Sequence, residues 1–280
     1  MRMNNQEVKR NLVEHTNTPL VSVITVCMNS EKTIERTIKS VQDQTYSNIE
    51  YLVIDGYSKD RTIEIIKQYS SFISYFLSEP DNGIYDAINK GITASRGEFI
   101  AILNSDDYYL KDSIEKVMAI FLQDLDIDIL YGDLVMIDEN NNYNYILKGQ
   151  APEQLRYFMA IPHPTAFIRR KVYEELGGYS LEYRIASDRD FMLRAINRKY
   201  RFYYLDETIT CMSIHGSSNV NVIPKCVEDL KISLRYGSNP IKALFVFLIK
   251  IGKGITRNFL EKHGGHSIVK WYKKTRFSKK

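Results

Sequence analysis

Short apolar runs, each stopped by a polar cluster and followed by an amphipathic stretch, make up the first hundred residues. Leu20 to Cys27 is almost continuously apolar or β-branched and stops at Asn29-Ser30, which predicts a buried strand. From Glu31 to Gln44 the apolar positions Ile34, Ile38 and Val41 recur at helical spacing. A second strand over Ile49–Ile54 ends at Asp55-Gly56, and a helix follows from Thr62 to Tyr69. A short strand over Phe72–Leu77 gives way to Ser78-Glu79-Pro80-Asp81-Asn82-Gly83, a loop by composition. A helix over Asp86–Ala94 then leads through Gly97 into the apolar run Phe99–Leu103, which ends abruptly in Asn104-Ser105-Asp106-Asp107. Strands and helices alternating at this interval predict right-handed βαβ units on a largely parallel sheet.

The second half is less regular. Its pattern predicts a helix over Lys111–Phe121, a strand over Ile127–Tyr131 and a hairpin over Leu134–Lys148 that turns at Glu139-Asn140-Asn141-Asn142. A short helix over Val172–Leu176 is stopped by Gly177-Gly178. A helix over Asp188–Asn197, a strand over Tyr200–Leu205 and terminal helices over Leu230–Tyr236 and Ile241–Leu260 complete the reading.

In a parallel sheet the carboxyl ends of successive strands share one edge, where ligands bind. Asn29 with Glu31, Asp55, Asp81 with Asn82, and Asp106 with Asp107 are all expected there, a set that suits a nucleotide. Adjacent carboxylates repel, and a cation relieves them, so Asp106-Asp107 suits a divalent metal carrying phosphate. Taken singly, each of these positions is equally a turn or a helix cap.

Composition narrows the class. The chain has 280 residues, 44% hydrophobic and 26% charged, as in an ordinary globular protein. Neither a secretory leader nor an apolar run long enough to span a bilayer is visible, which predicts a cytoplasmic location. Cys27, Cys211 and Cys226 lie far apart without zinc-like spacing, the usage of a reducing compartment. The net charge of +4 hides an asymmetry: residues 241–280 hold 11 Lys or Arg against one acid, Glu261, while the remaining residues carry 27 basic and 33 acidic side chains. A tail of +10 that also contains Phe245, Phe247, Leu248, Ile251, Phe259, Trp271 and Tyr272 suits an anionic membrane surface. Packing on the body or on a second subunit, as in a homodimer, is the competing reading. The acidic body shows no basic stripe, which argues against nucleic acid.

Four segments occur in order: Val21-Ser22-Val23-Ile24-Thr25-Val26-Cys27-Met28-Asn29, Ser40-Val41-Gln42-Asp43-Gln44-Thr45-Tyr46, Val53-Ile54-Asp55-Gly56-Tyr57-Ser58-Lys59-Asp60 and Leu103-Asn104-Ser105-Asp106-Asp107. Together they resemble the family 2 glycosyltransferases, inverting enzymes of the GT-A fold. Ser78 through Gly91 (SEPDNGIYDAINKG) resembles a bacterial subgroup that makes surface polysaccharides such as capsule or O-antigen. The likeness spans about residues 20–216. It implies an α/β chain with a Rossmann-like, mostly parallel central sheet flanked by helices and a basic helical C-terminal appendage. The organisation would be a flexible N-terminus over 1–18, a nucleotide-sugar-binding half over 19–110, an acceptor-binding half over 111–222 and a basic helical extension over 223–280.

The resemblance also implies roles. Thr25, Val26, Asn29 and Glu31 would line the nucleotide pocket, Val26 through its backbone, with Asp55 on the uracil or ribose. Asp86, Lys90 and Asn104 would border the nucleotide sugar, Lys90 at a phosphate, although a solvent-facing place on its helix is the simpler reading of Lys90. Asp106 would hold ribose and, with Asp107, a Mg²⁺ or Mn²⁺ on the diphosphate, with His215 as a further ligand or merely a loop residue. There are two departures from the family pattern: Asn104 stands where many relatives have Asp, and Gly56 replaces a frequent second Asp.

On the acceptor side the resemblance makes Asp188 the base of an inverting displacement. Asp190 is its rival but should point elsewhere, toward an i,i+4 pair with Arg194. His163, between two prolines, either positions a loop or borders the acceptor. The implied function is transfer of a sugar from a UDP-linked donor to a hydroxyl of a polysaccharide or lipid-linked acceptor at the inner face of the plasma membrane. A nucleotidyltransferase would want a Gly-rich basic loop after the first strand, which Cys27-Met28-Asn29-Ser30-Glu31 is not. A binding module without catalysis is countered by Asp106, Asp107 and Asp188.

Overall fold

The computed structural model describes residues 18–138, 143–213 and 222–262. The expected N-terminal segment, the tip of the predicted hairpin, the His215 loop and the end of the basic tail lie outside these residues.

The βα alternation of the first half becomes β1 (Val21–Cys27), α1 (Ile34–Gln42), β2 (Ile49–Asp55), α2 (Thr62–Gln68), β3 (Tyr75–Ser78), α3 (Ile84–Ala94) and β4 (Phe99–Ile102). These strands lie side by side in the order β3-β2-β1-β4, all parallel, with Val21 level with both Ile49 and Phe99. β1 is central and buried at all seven positions, which is why it reads as an unbroken apolar run. Its alternate side chains feed two cores on opposite faces of the sheet. Val21 and Val23 pack with Ile34 and Ile38 of α1, and Ile24 and Val26 pack with Tyr85 and Ile88 of α3. A Cβ on Gly91 would come within 2.4 Å of Ile24, so glycine lets α3 lie this close to β1.

The remaining elements are β5 (Tyr108–Tyr109), α4 (Ser113–Gln123), β6 (Ile129–Asp138), β7 (Tyr143–Leu147), β8 (Phe167–Arg169), α5 (Arg170–Leu176), α6 (Ser187–Asn197), β9 (Phe202–Ser213), α7 (Val222–Arg235) and α8 (Pro240–Lys262). Beyond β4 the sheet continues through β8, β6, β9 and β5, with β7 added to β6. β6 runs parallel to β9, while β8, β7 and β5 are antiparallel to their neighbours. One nine-stranded mixed sheet thus passes through both halves of the described chain.

Several boundaries differ from the sequence reading for local reasons. α3 starts two residues early, behind Gly83 at φ 109°, because Asp86 reaches back to accept the Asn82 amide at 2.9 Å in the manner of a capping acid. The predicted break at Gly132-Asp133 is absorbed by an irregularity in the register with β9, so β6 runs unbroken to Asp138. The strand expected to stop at Leu205 continues to Ser213. The polar pair Asp206-Glu207, which looks like a turn, is exposed and ion-paired to Lys148 (2.6 Å) and Lys116 (2.7 Å). α5 does stop at Gly177, at φ 74°. At the amino ends of the strands, the nearly buried Glu50 carboxylate accepts the Ser22 hydroxyl (2.6 Å), the Arg96 amide (2.7 Å) and the Arg96 guanidinium (2.6 Å).

Candidate active site

At the opposite, carboxyl edge, the strand-end loops are laced to one another. Asn29 adopts φ 51°, a conformation its short amide tolerates, and accepts the Lys59 amide on Oδ1 at 2.8 Å while its own N–H donates to Ser58. Glu31 accepts the Arg61 amide at 3.1 Å, and Ser30 pairs with the Ser105 hydroxyl at 2.8 Å. Asp55 is fully buried and accepts the Ser58 amide (3.0 Å), the Ser58 hydroxyl and the Ser78 hydroxyl (2.7 Å), tying the ends of β2 and β3 together. The side chains of Thr25 and Val26 are buried, Thr25 accepting the Tyr51 hydroxyl at 3.0 Å, so these two positions offer a ligand mainly backbone.

Lys90 is ion-paired to Glu79 (2.8 Å) and Asp86 (3.4 Å) and donates to the Pro80 carbonyl (3.1 Å), which fixes the loop after β3. That loop presents Asp81 and Asn82 to a cavity. It also explains Gly56: a Cβ there would lie 2.5 Å from the Asp81 carboxylate, so the space a second acid would fill is already taken.

The turn after β4 is held from α1. The Thr37 hydroxyl bridges the carbonyls of Ser105 (2.9 Å) and Asp107 (2.7 Å), and Arg36 donates to the Asp106 carbonyl at 3.2 Å. Asp107 is fully buried, with Oδ2 on the Asn104 amide at 3.2 Å and Oδ1 without a hydrogen-bond partner among the described residues. Burial pushes the Asp106 carboxyl above the usual range, and burial with the neighbouring Asp106 charge pushes Asp107 well above it. Two desolvated neighbouring carboxylates and an orphaned oxygen fit a hard divalent cation. Among the described residues no third His, Cys, Asp or Glu joins them, so a metal here would complete its coordination from the diphosphate and water. His215 lies outside the described residues.

The side of the cleft where the acceptor is expected is built on α6. A cavity of about 1170 Å³ is lined by Asp81, Asn82 and Asn104 from the donor edge and by His163, Asp188 and Glu228 from the second half. Asp188 stands partly exposed on the first turn of α6. The chain leading into that turn is gripped by Glu228 of α7, whose carboxylate accepts three consecutive amides: Arg184 (3.0 Å), Ile185 (2.9 Å) and Ala186 (2.9 Å). Arg189, entirely buried, donates to the Leu155 carbonyl (2.7 Å), Asp229 (3.0 Å to the carboxylate) and Ser233 (2.7 Å), pinning α6 to α7. Asp190 is buried, ion-paired to Arg194 at 3.0 Å and bonded to the Tyr236 hydroxyl at 2.7 Å, so its carboxylate is occupied away from the cavity.

Aromatic packing completes the wall. Tyr85 stacks on Tyr179 at 5.5 Å and donates to the Ile185 carbonyl at 2.9 Å. Asn89 clamps both backbone groups of Tyr179 (2.7 and 2.8 Å), and the Tyr179 hydroxyl meets His163 Nε2 at 2.8 Å. Burial lowers the His163 pKa against the nearby Asp188 charge, and burial together with Asp188 raises Tyr85 well above its ordinary value, so both stay neutral. Nothing local in the sequence marks Glu228, Arg189 or Asn89 as part of this arrangement, because their partners lie tens of residues away. Asp81 was recognisable as a polar strand end.

A parallel βα half carrying the nucleotide edge, joined through one sheet to a mixed half that offers a carboxylate across a common cleft, is the architecture of a GT-A-like glycosyltransferase. Solved structures share it. TarS of S. aureus, determined with UDP-GlcNAc, superposes with a TM-score of 0.63 at 19% identity, covering 83% of this chain and 71% of that one. A mannosyltransferase of Pyrobaculum calidifontis, determined with GDP-Man and Mn²⁺, gives 0.63 at 17% identity and covers 96% and 88%. In sequence, the chain is 34% identical over 190 residues to an uncharacterized glycosyltransferase of Mycobacterium tuberculosis, covering 64% of this chain and 70% of that protein. It is 26% identical over 259 residues to a PGL/p-HBAD biosynthesis glycosyltransferase of the same organism, covering 90% and 97%. Residues 22–177 match Glycosyl transferase family 2, and the chain belongs to that family. It is a glycosyltransferase that takes its sugar from a nucleotide sugar.

Proposed function

We propose that this transferase is inverting, uses a UDP-linked donor and glycosylates a hydroxyl on a polysaccharide or lipid-linked acceptor during cell-surface glycan synthesis. The supporting observation is the single cleft that presents Asp81 and Asn104 on one wall and Asp188 on the other. The nucleotide lies along the strand ends, with the backbone at Thr25 and Val26, the loop residues Asn29 and Glu31, and the Asp55 turn around its base and ribose. Asp86 and Lys90 serve the donor by fixing the Asp81-Asn82 loop. Asp106 and Asp107 would hold a Mn²⁺ or Mg²⁺, which supplies neutralisation of the charge that develops on the departing diphosphate. Asp188 accepts the proton of the acceptor hydroxyl as that oxygen attacks the anomeric carbon in one displacement. His163, whose Nε2 is engaged with the Tyr179 hydroxyl at 2.8 Å, and Tyr85, whose hydroxyl is kept protonated by burial, flank Asp188.

The test is nucleotide release from a panel of UDP- and GDP-sugars with a glycan or lipid-linked acceptor, with and without Mn²⁺, and the anomeric configuration of the product read by NMR. UDP release that depends on metal, with inversion, is expected. Turnover of GDP-sugars alone would overturn the donor assignment, and a retained anomeric configuration would overturn the role of Asp188.

A further inference from the structure

The cleft leaves one large feature without a role: the outer face of α8. Its inner face is seated on α7. There Ala243 and Gly254 are buried, and Lys250 reaches inward to the Asp229 carboxylate at 2.7 Å, the same group that holds Arg189. At about 100° per residue, Ile241, Phe245, Leu248 and Ile255 fall on the opposite side of the helix. They are 82%, 63%, 57% and 58% exposed, with Leu244 beside them at 49%. At 1.5 Å per residue the stripe is about 21 Å long. An apolar band of this length marks an interaction site.

Charge identifies the occupant. Lys242 and Lys253 border the stripe on one flank, and no acid occurs between Asp229 and Glu261. Residues 241–280 carry 11 basic side chains against one acidic one. Two copies meeting through this face would bring lysine against lysine with no carboxylate between them. An anionic lipid surface satisfies the apolar band and the basic flank together. We propose that the outer face of α8 docks the protein, in the plane of the interface, on an anionic bilayer. Docking there is not spanning, since no helix among the described residues is long and apolar enough to cross a membrane. It also bears on the cleft, because α7, on which α8 sits, contributes Lys225 and Glu228 to the cavity wall. The surface stands independently of which sugar or acceptor is used.

The test is co-sedimentation of the full chain with vesicles of equimolar phosphatidylglycerol and phosphatidylcholine, against vesicles of phosphatidylcholine alone. Binding to the anionic vesicles is expected, with at least tenfold weaker partition for Phe245→Glu/Leu248→Glu. Lys253→Gln alone should weaken partition about fivefold, the contribution of one basic residue at an anionic surface. Unchanged melting temperature and unchanged stabilisation by UDP establish that each variant is folded, and Ile241→Glu replaces the double variant if that one is not. Absence of binding by the parent chain, or equal binding by the folded variants, would overturn the proposal. So would a dimer, seen by light scattering, that the same substitutions convert to monomer, since the stripe would then belong to a second copy.

Discussion

The donor edge and the acceptor wall face the same cleft but are built in opposite ways. At the edge proposed for the donor, Asn29 is held by Lys59, Asp55 by Ser58 and Ser78, and Lys90 by Glu79 and Asp86. Parallel strands deliver these loops side by side, so the arrangement follows from the βα order itself. On the acceptor wall, Asp188 sits on a turn whose backbone is gripped by Glu228 and whose next residue, Arg189, is tied to Asp229, some forty residues further along the chain. The donor edge is therefore a local construction, whereas the place of Asp188, the proposed base, depends on α7 being packed in place.

Substitutions separate the two. The largest effect is expected from Asp188→Asn, which should lower kcat by about 10²- to 10⁴-fold, the usual contribution of a general base, while leaving UDP stabilisation of the fold nearly intact. Transfer assays and thermal shift with UDP check both halves of that statement, and retained turnover would return the base to another residue. Glu228→Gln comes next. Weakening charge-assisted bonds to three amides costs about 1.5–3 kcal/mol, of which a part reaches the position of Asp188, so kcat should fall about tenfold with the donor KM unchanged. A rise in donor KM instead would show that α7 serves the nucleotide as well.

Gly56→Ala acts only on the donor edge. The added methyl must displace the Asp81 carboxylate, and since that group is the end of a side chain, the expected effect is small: a donor KM raised about threefold, equivalent to roughly 0.7 kcal/mol, with kcat retained. A drop in kcat alone would place Asp81 in the chemical step.

The far end of the same strands gives a control on stability. Burial by itself would raise the Glu50 carboxyl, but the Ser22 hydroxyl and the Arg96 amide and guanidinium outweigh it and hold it below the usual glutamate range. A depressed folded pKa contributes stability above the unfolded value, which is lost as pH falls through the folded value. The melting temperature of the parent should therefore fall more steeply than that of Glu50→Gln once the pH drops below about 4.3, the unperturbed glutamate value. Parallel curves from pH 7 to pH 3 would remove the linkage. Activity near neutral pH should be indifferent to this change, because Glu50 lies at the edge of the sheet opposite the cleft.

Legibility followed the same division. Leu20–Cys27, the Ile34-Ile38-Val41 spacing and Phe99–Leu103 stand in the structure nearly where the pattern places them, since a central parallel strand must be apolar throughout and its covering helix apolar on one face. Asp206-Glu207 misled because a long strand on a mixed sheet can carry exposed, ion-paired acids in its middle. Gly132 misled because an irregular register absorbed it. The sequence pattern starts α3 at Asp86, whereas the helix begins at Ile84 and Asp86, reaching back to Asn82, is the third residue of its first turn.

The sequence by itself determined the alternation of strands and helices, the edge at which Asn29, Asp55 and Asp106 emerge, the family motifs and the basic tail. All of these are properties of spacing and composition within short windows. Only the tertiary structure decided that Tyr236 takes the other oxygen of Asp190 while Asp188 opens into the cleft, that Glu228 and Arg189 hold the turn, that Asp81 fills the space above Gly56, and that α8 seats one face on α7 and turns its apolar stripe outward. Each of these rests on contacts between residues far apart in the chain, which carry no local periodicity and exist only once the sheet and helices have packed.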